Sequence, residues 1–311
     1  MISVVIPTHK RADLLFYELE HIYMQKDADF EVIVVNDIEE EDETDAIREK
    51  FPDVIYIKDS KIQGPSNKHK AGLKIAKGEY LYMPDDDDYL TDEYFFKKTV
   101  SYMEKYPKVG FVSGGVNILY QFSDGRPDKI KRQYMNVSGY FDGAEYLQEF
   151  QNKLQKPAST VSTLFRRQSF MDLKMVDMQE MSDSSMYMVA LLWGDAYVFD
   201  DVVANYRVKG YGTSLTTTLS IPFIINVLEQ KEKLYILSKK RISNSKKFWY
   251  NQVKCTLNMI VYSNNSIAEK ISIIRWGLTH THGVNLIYTK MLSLFLRITS
   301  IEIYKCFKSN Y

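Results

Sequence analysis

The chain reads as an α/β protein: a mostly parallel sheet flanked by helices, with a helical C-terminal extension. Two observations lead there. Short β-branched runs alternate with helical stretches through the first third, which implies right-handed crossovers between parallel strands. Beyond Ser214 the strands stop, and helices follow one another with Gly, Asn and Ser between them.

Taken in order, Ile2–Ile6, Glu31–Val35, Val54–Ile57 and Tyr80–Met83 are the expected first strands. Ala12–Gln25, Asp42–Lys50 and Asn67–Lys77 are the helices between them. A helix over Thr91–Lys105, with Thr91 as N-cap, precedes a strand over Val109–Val116. Ser123-Asp124-Gly125-Arg126-Pro127-Asp128 is a turn cluster, expected in a mobile or acceptor-facing loop. Asp142–Phe150 is expected as a helix, Ala158–Phe165 as a strand, Asp183–Trp193 as a helix and Ala196–Arg207 as a strand. Pro222–Lys240, Ser245–Tyr262, Ser266–Gly277 and Val284–Phe307 complete the chain as helices. A domain over 1–218, with halves 1–115 and 116–218, and a basic helical region over 219–311 follow from this pattern.

The 311 residues are 45% hydrophobic and 26% charged, which argues against overall disorder. Net charge is zero but unevenly placed. Up to Ser214 there are 26 Lys and Arg against 36 Asp and Glu; from Leu215 there are 14 against 4. The basic tail therefore faces something anionic, and an anionic membrane surface is one candidate. A solvated helix face is the other explanation; nucleic acid is excluded because no recognition motif accompanies the charge. Two cysteines make no disulfide framework. With no signal peptide and no uncharged apolar run of about 18 residues, the expected location is cytoplasmic, on or near the inner face of the cell membrane.

Four segments carry chemistry. Ser3-Val4-Val5-Ile6-Pro7-Thr8-His9-Lys10-Arg11 is a buried strand expected to end at Pro7, which lacks a ladder donor, and so to deliver Thr8, His9 and Arg11 to the sheet edge. Val32-Ile33-Val34-Val35-Asn36-Asp37 brings Asp37 to the same edge, either to accept from a base or ribose or to cap a helix. Gly64-Pro65-Ser66-Asn67-Lys68-His69-Lys70 leads into a helix N-terminus, which favours anions. Asp85-Asp86-Asp87-Asp88 follows the strand opened by Gly78-Glu79-Tyr80. Carboxylates so crowded repel, and hard cations held by one or two carboxylates plus phosphates relieve such repulsion. A solvated acidic loop is the plainer reading of an isolated run.

This ordered set resembles family-two glycosyltransferases over residues 1–115, and more loosely over 157–215. The resemblance implies a GT-A fold, a nucleotide-diphosphate sugar donor, a divalent cation (Mn²⁺ or Mg²⁺) and inversion at the anomeric carbon. It further implies that Pro7, Thr8, His9 and Arg11 line the nucleotide pocket and that Asp37 binds the base. Asn67, Lys68 and Lys70 would face the nucleotide, with Asp85 and Asp86 toward ribose. Asp87 is the metal ligand by position, with Asp85 as second ligand or holding a metal-bound water, and Asp88 caps or orients. The catalytic base is expected at the start of the helix after Ser182, which makes it Asp183, with Glu180 in reserve. Three positions depart from the family pattern: His69-Lys70 stands for Arg-Asn, Ser182 for Glu, and Lys209 for the His after Tyr206-Arg207.

By the same resemblance, the expected function is transfer of a sugar, from a UDP-sugar by preference, to a glycan or lipid-linked acceptor of a bacterial surface polysaccharide. A nucleotidyltransferase is the enzymatic alternative, although it wants a Gly-rich basic loop where Pro7-Thr8-His9 stands. A catalytically lapsed nucleotide-sugar binder is the alternative from another class.

Overall fold

The computed structural model describes residues 1–38, 44–122, 127–209, 220–258 and 265–309. The chain divides into two compact units: Met1–Leu147 with Leu154–Gly210, and Gln148–Lys153 with Tyr211–Tyr311. The expected boundary near residue 218 and most of the Ser123–Asp128 turn lie outside the described residues, as does the Lys209 side chain.

The first unit begins with β1 (Ile2–Thr8), α1 (Ala12–Tyr23), β2 (Phe30–Asn36), α2 (Thr44–Lys50), β3 (Ile55–Lys58), α3 (Pro65–Ile75) and β4 (Tyr80–Tyr82). Next come β5 (Tyr89–Leu90), α4 (Phe95–Lys105), β6 (Val109–Gln121), β7 (Lys129–Arg132), β8 (Gly139–Phe141) and α5 (Gly143–Glu149). A 3₁₀ turn over Thr160–Ser162, β9 (Thr163–Arg166), α6 (Arg167–Asp172), α7 (Asp183–Trp193) and β10 (Asp195–Lys209) follow.

The sheet runs β3-β2-β1-β4-β9-β6-β10-β5, with β7 on β6 and β8 on β10. Strands β3, β2, β1 and β4 pair in parallel, as the βα alternation requires. From β9 the sheet is mixed: β9 runs antiparallel to both β4 and β6, while β6 and β10 run parallel. All seven β1 residues are buried, as a strand covered on both faces should be. Helix α1 lays Leu15, Leu19 and Ile22 on that sheet at helical spacing. Full burial of each contributes about 1.5–3 kcal/mol. Helix α3 sits closer still: a Cβ on Gly72 would lie 2.3 Å from Val5 Cγ1, so only glycine permits this approach beneath the sheet edge.

Three expectations shift. Pro7 does not end β1, which continues to Thr8. There Pro7 pairs with Val35 of β2, whereas β4 partners only Ile2–Val4, so the missing N–H faces no second ladder. Thr91 does not cap a helix; its N–H bonds the Val203 carbonyl beside β5, and α4 starts at Phe95. Of the expected strand over Ala158–Phe165, the first half is instead a loop and a 3₁₀ turn.

The second unit holds α8 (Ile221–Ser238), α9 (Ser245–Asn258), α10 (Ile267–Thr279) and α11 (Asn285–Ser309). Its core stacks Tyr235 on Trp249 at 5.4 Å, with Phe248 and Leu234 fully buried. Residues 148–153 belong to this unit through their bonds. Asn244 N donates to Gln148 Oε1 at 3.1 Å, Lys247 pairs with Glu149, and Gln252 Nε2 donates to the Phe150 carbonyl at 3.0 Å.

Candidate active site

The ends of β1, β2 and β4 and the start of α3 place their polar residues together. Asp37, one residue past β2, is nearly buried and gathers three donors. Lys68 Nζ lies 3.0 Å and His9 Nδ1 2.6 Å from its Oδ1, and Gly64 N donates to Oδ2 at 3.2 Å. Burial would raise the Asp37 pKa, but these hydrogen bonds outweigh it and hold the carboxyl below its ordinary value. Gly64 has φ +80°, a left-handed backbone that suits glycine at the turn into α3. Lys68 also donates to the Thr8 carbonyl at 2.8 Å and is 4% exposed. Its ammonium thus ties β1 to β2.

The loop after β1 crosses to the aspartates. Thr8 Oγ1 donates to Asp86 Oδ2 at 2.8 Å, and Arg11 Nη1 bonds Asp86 Oδ1 at 2.9 Å and Asp87 Oδ2 at 3.2 Å. Asp86 is buried, and that burial raises its pKa despite Arg11. Asp88 is 1% exposed and is held from two sides. Ser159 Oγ donates to its Oδ2 at 2.7 Å and Arg207 N to its Oδ1 at 2.8 Å, joining the cluster to β10. Asp85 is pushed up to about 8 by burial, by Asp183 and by Asp87 and Asp86, against the pull of Arg11. Below them Glu18 of α1 is buried, with neither carboxyl oxygen bonded, and burial drives its pKa well up.

Asp183 is the first residue of α7; Ser182 holds the N-cap place. Its carboxylate is therefore free of a capping role and lies 3.5 Å from Lys156 Nζ. It is near enough to Asp85, His69 and Tyr206 to perturb each of them. Glu180, by contrast, accepts from Ser66 Oγ at 2.7 Å and serves the start of α3. Lys70 donates to the Gln179 carbonyl at 2.9 Å, and Asn67 Nδ2 to the Gln63 carbonyl at 2.9 Å. His69 is buried, and desolvation lowers its pKa to about 4.

Among the described residues, no three His, Cys, Asp or Glu side chains form a metal cage. The donors do fit a cation of another kind. Hard oxygen ligands from one or two aspartates, completed by phosphate oxygens, suit Mg²⁺ or Mn²⁺. Asp85, Asp86 and Asp87 lie close enough to repel one another when ionised, and such an ion would offset that repulsion.

Sequence reasoning missed Lys156, Ser159 and Glu18. None sits in a recognisable pattern: the first two precede β9 in a loop, and Glu18 looks like any helix carboxylate until its burial is known.

The model of the family described as "Glycosyl transferase family 2" matches residues 3–174. The chain belongs to glycosyl transferase family 2. It is 29% identical over 126 residues to the Escherichia coli UDP-Glc:alpha-D-GlcNAc-diphosphoundecaprenol beta-1,3-glucosyltransferase WfaP, covering 37% of this chain and 50% of that protein. It is 33% identical over 98 residues to the Staphylococcus aureus poly(ribitol-phosphate) beta-N-acetylglucosaminyltransferase TarS, covering 29% of this chain and 17% of that protein. The chain thus aligns with half or less of the length of these relatives. Among solved structures, S. aureus TarS 1–349 in complex with UDP superposes with a TM-score of 0.65 at 15% identity, over 97% of this chain and 91% of that one. The family-two member therefore has a GT-A fold, mixed α/β with helices on a central sheet and C-terminal helices beyond it. None of the helices among the described residues is long and apolar enough to cross a membrane.

Proposed function

We propose that this protein transfers a sugar from a nucleotide-diphosphate donor, a UDP-sugar, to a hydroxyl of a glycan or lipid-linked acceptor in bacterial surface polysaccharide synthesis. The observation that carries the reading is the convergence of three strand ends. Asp37 with His9, Asp86 and Asp87 with Thr8 and Arg11, and Asp183 across from Asp85 gather around one sheet edge. The WfaP relative names a UDP-Glc donor and a diphosphoundecaprenol acceptor, and the TarS structure carries UDP, which supports the choice of base and acceptor class.

In this reading Asp37 and His9 meet the base, and Asp87 with Asp85 would hold Mn²⁺ or Mg²⁺. Such a cation would neutralise charge building on the leaving nucleotide. Asp183 accepts the proton of the acceptor hydroxyl. That oxygen bonds the anomeric carbon from the side opposite the diphosphate. The bond to the diphosphate oxygen breaks, its electron pair leaves with UDP, and the single displacement inverts the centre. Arg11, bonded to Asp86 and Asp87, moderates the repulsion among the aspartates before donor binds.

The exposed lysines of the second unit, Lys233, Lys239, Lys240 and Lys246, suit an anionic membrane surface at the cytoplasmic face. Of the tail aromatics, Phe248 and Trp249 are buried and serve the helical core instead. The lapsed-binder alternative keeps one supporting observation, the neutral buried His69 in place of an arginine. Thermal-shift measurements with UDP, with and without Mn²⁺, followed by UDP release from a donor sugar, separate the two readings. Nucleotide-dependent stabilisation without turnover favours the binder; no nucleotide-dependent shift at all defeats both.

A further inference from the structure

Lys156 is the cation beside Asp183 among the described residues, and its ammonium is fixed from three sides. Nζ stands 3.5 Å from Asp183 Oδ2, donates to the Ala158 carbonyl at 3.3 Å, and lies 5.3 Å from the centre of the Tyr187 ring. The Lys156 side chain is 16% exposed, against 38% for Asp183, so the pair has a buried cationic side and an open anionic side. Tyr187 is itself anchored, by Thr163 Oγ1 at 2.6 Å and the Ser159 carbonyl at 3.1 Å. Ser159 in turn donates to Asp88. One short segment, residues 156–159, therefore connects the Asp183 carboxylate to the aspartate cluster.

The groups facing Asp183 explain why such a contact is needed. Asp183 acts electrostatically on Asp85, on His69 of α3, on Tyr187 of its own helix and on Tyr206 of β10. His69 is neutral near pH 7 because burial holds it at about 4. The aspartates repel an Asp183 carboxylate, and Lys156 supplies the opposing attraction.

We propose that Lys156 is a positioning residue for Asp183: it holds Oδ2 through a buried ammonium and leaves Oδ1 turned to the acceptor hydroxyl. This rests on Asp183 being the base. A lysine kept only for stability would change the melting temperature and leave catalysis alone, so the test reads kinetic constants.

With UDP-glucose as donor and a lipid-linked α-N-acetylglucosaminyl diphosphate as acceptor, Lys156→Met lowers kcat roughly 10–100-fold, less than the ~10²–10⁴-fold a positioned general base contributes, because Asp183 itself remains. The KM for UDP-glucose and the UDP-induced thermal shift stay as in wild type. Lys156→Arg, which restores the cation, recovers most of kcat even if Lys156→Met folds poorly. Crystal structures of wild type and Lys156→Met, independent of any substrate, show the Asp183 carboxylate displaced in the variant. The proposal is overturned by a Lys156→Met kcat within about twofold of wild type, by an Arg variant no better than Met, or by an unmoved Asp183. Asp183→Asn is the separate control: near wild-type kcat in that variant removes the base assignment, whatever Lys156 does.

Discussion

Lys68 Nζ stands 3.0 Å from Asp37 Oδ1, and each side chain is only 5% exposed. An ion pair this deep is costly to break on one side, because the survivor keeps its charge without its partner. Lys68→Met leaves Asp37 with His9 and the Gly64 N–H, and is expected to lower unfolding free energy by about 3 kcal/mol. Urea denaturation measures it; a loss below about 1 kcal/mol would mean that the remaining donors suffice.

Asp87 keeps an oxygen on Arg11 but is partly exposed, unlike Asp86 and Asp88. Asp87→Asn is expected to remove the Mn²⁺-dependent part of the UDP thermal shift and to leave the Mn²⁺-independent part in place. Asp88→Asn is expected to lower stability through Ser159 and Arg207 instead. Equal metal-dependent shifts in wild type and Asp87→Asn would move the ligand to Asp85.

His69 titrates near 4 in the folded protein against about 6.5 when unfolded. Between those values the unfolded chain binds the extra proton, so stability falls as pH drops from about 6.5 toward 4. His69→Gln is expected to flatten that part of the pH–stability curve. Thermal melts at half-unit pH steps give the comparison, and parallel curves for the two proteins would rule the effect out.

Glu18 has the opposite sign. Its folded pKa is raised by burial and by the aspartates above it, so the native state holds a proton that the unfolded state gives up above about 4.5. Stability is lost as pH climbs, and Glu18→Gln, neutral at every pH, is expected to raise the melting temperature by several degrees at pH 8 and by less at pH 5. A uniform change at both pH values would point to packing as the cause.

Much of this was legible in the residues. The four parallel strands followed from βα alternation, and α7 fell on Asp183–Trp193 as expected. Thr8, Arg11, Asp37 and the Asp85–Asp88 run do meet at one edge because strand ends are where a parallel sheet exposes its loops. Local signals failed where tertiary pairing decided the outcome. Pro7 stayed in its strand because no neighbour needed its N–H, and Thr91 served β10's edge before any helix. Lys68 looked like a phosphate contact, yet its ammonium faces inward to the Thr8 carbonyl; sequence gives a side chain's charge, not its direction. Lys156 gave no signal at all, since its partner lies 27 positions later on another element.

Gln148, Glu149 and Phe150 have their partners in Asn244, Lys247 and Gln252. A shortened version stopping before α8 would strip those three of every such bond while keeping them in the polypeptide, inviting aggregation that could pass for loss of lipid affinity. Charge reversal at Lys233 and Lys240 is the cleaner instrument for asking what the helical portion touches, and chimaeras with other family members would need both stretches exchanged at once.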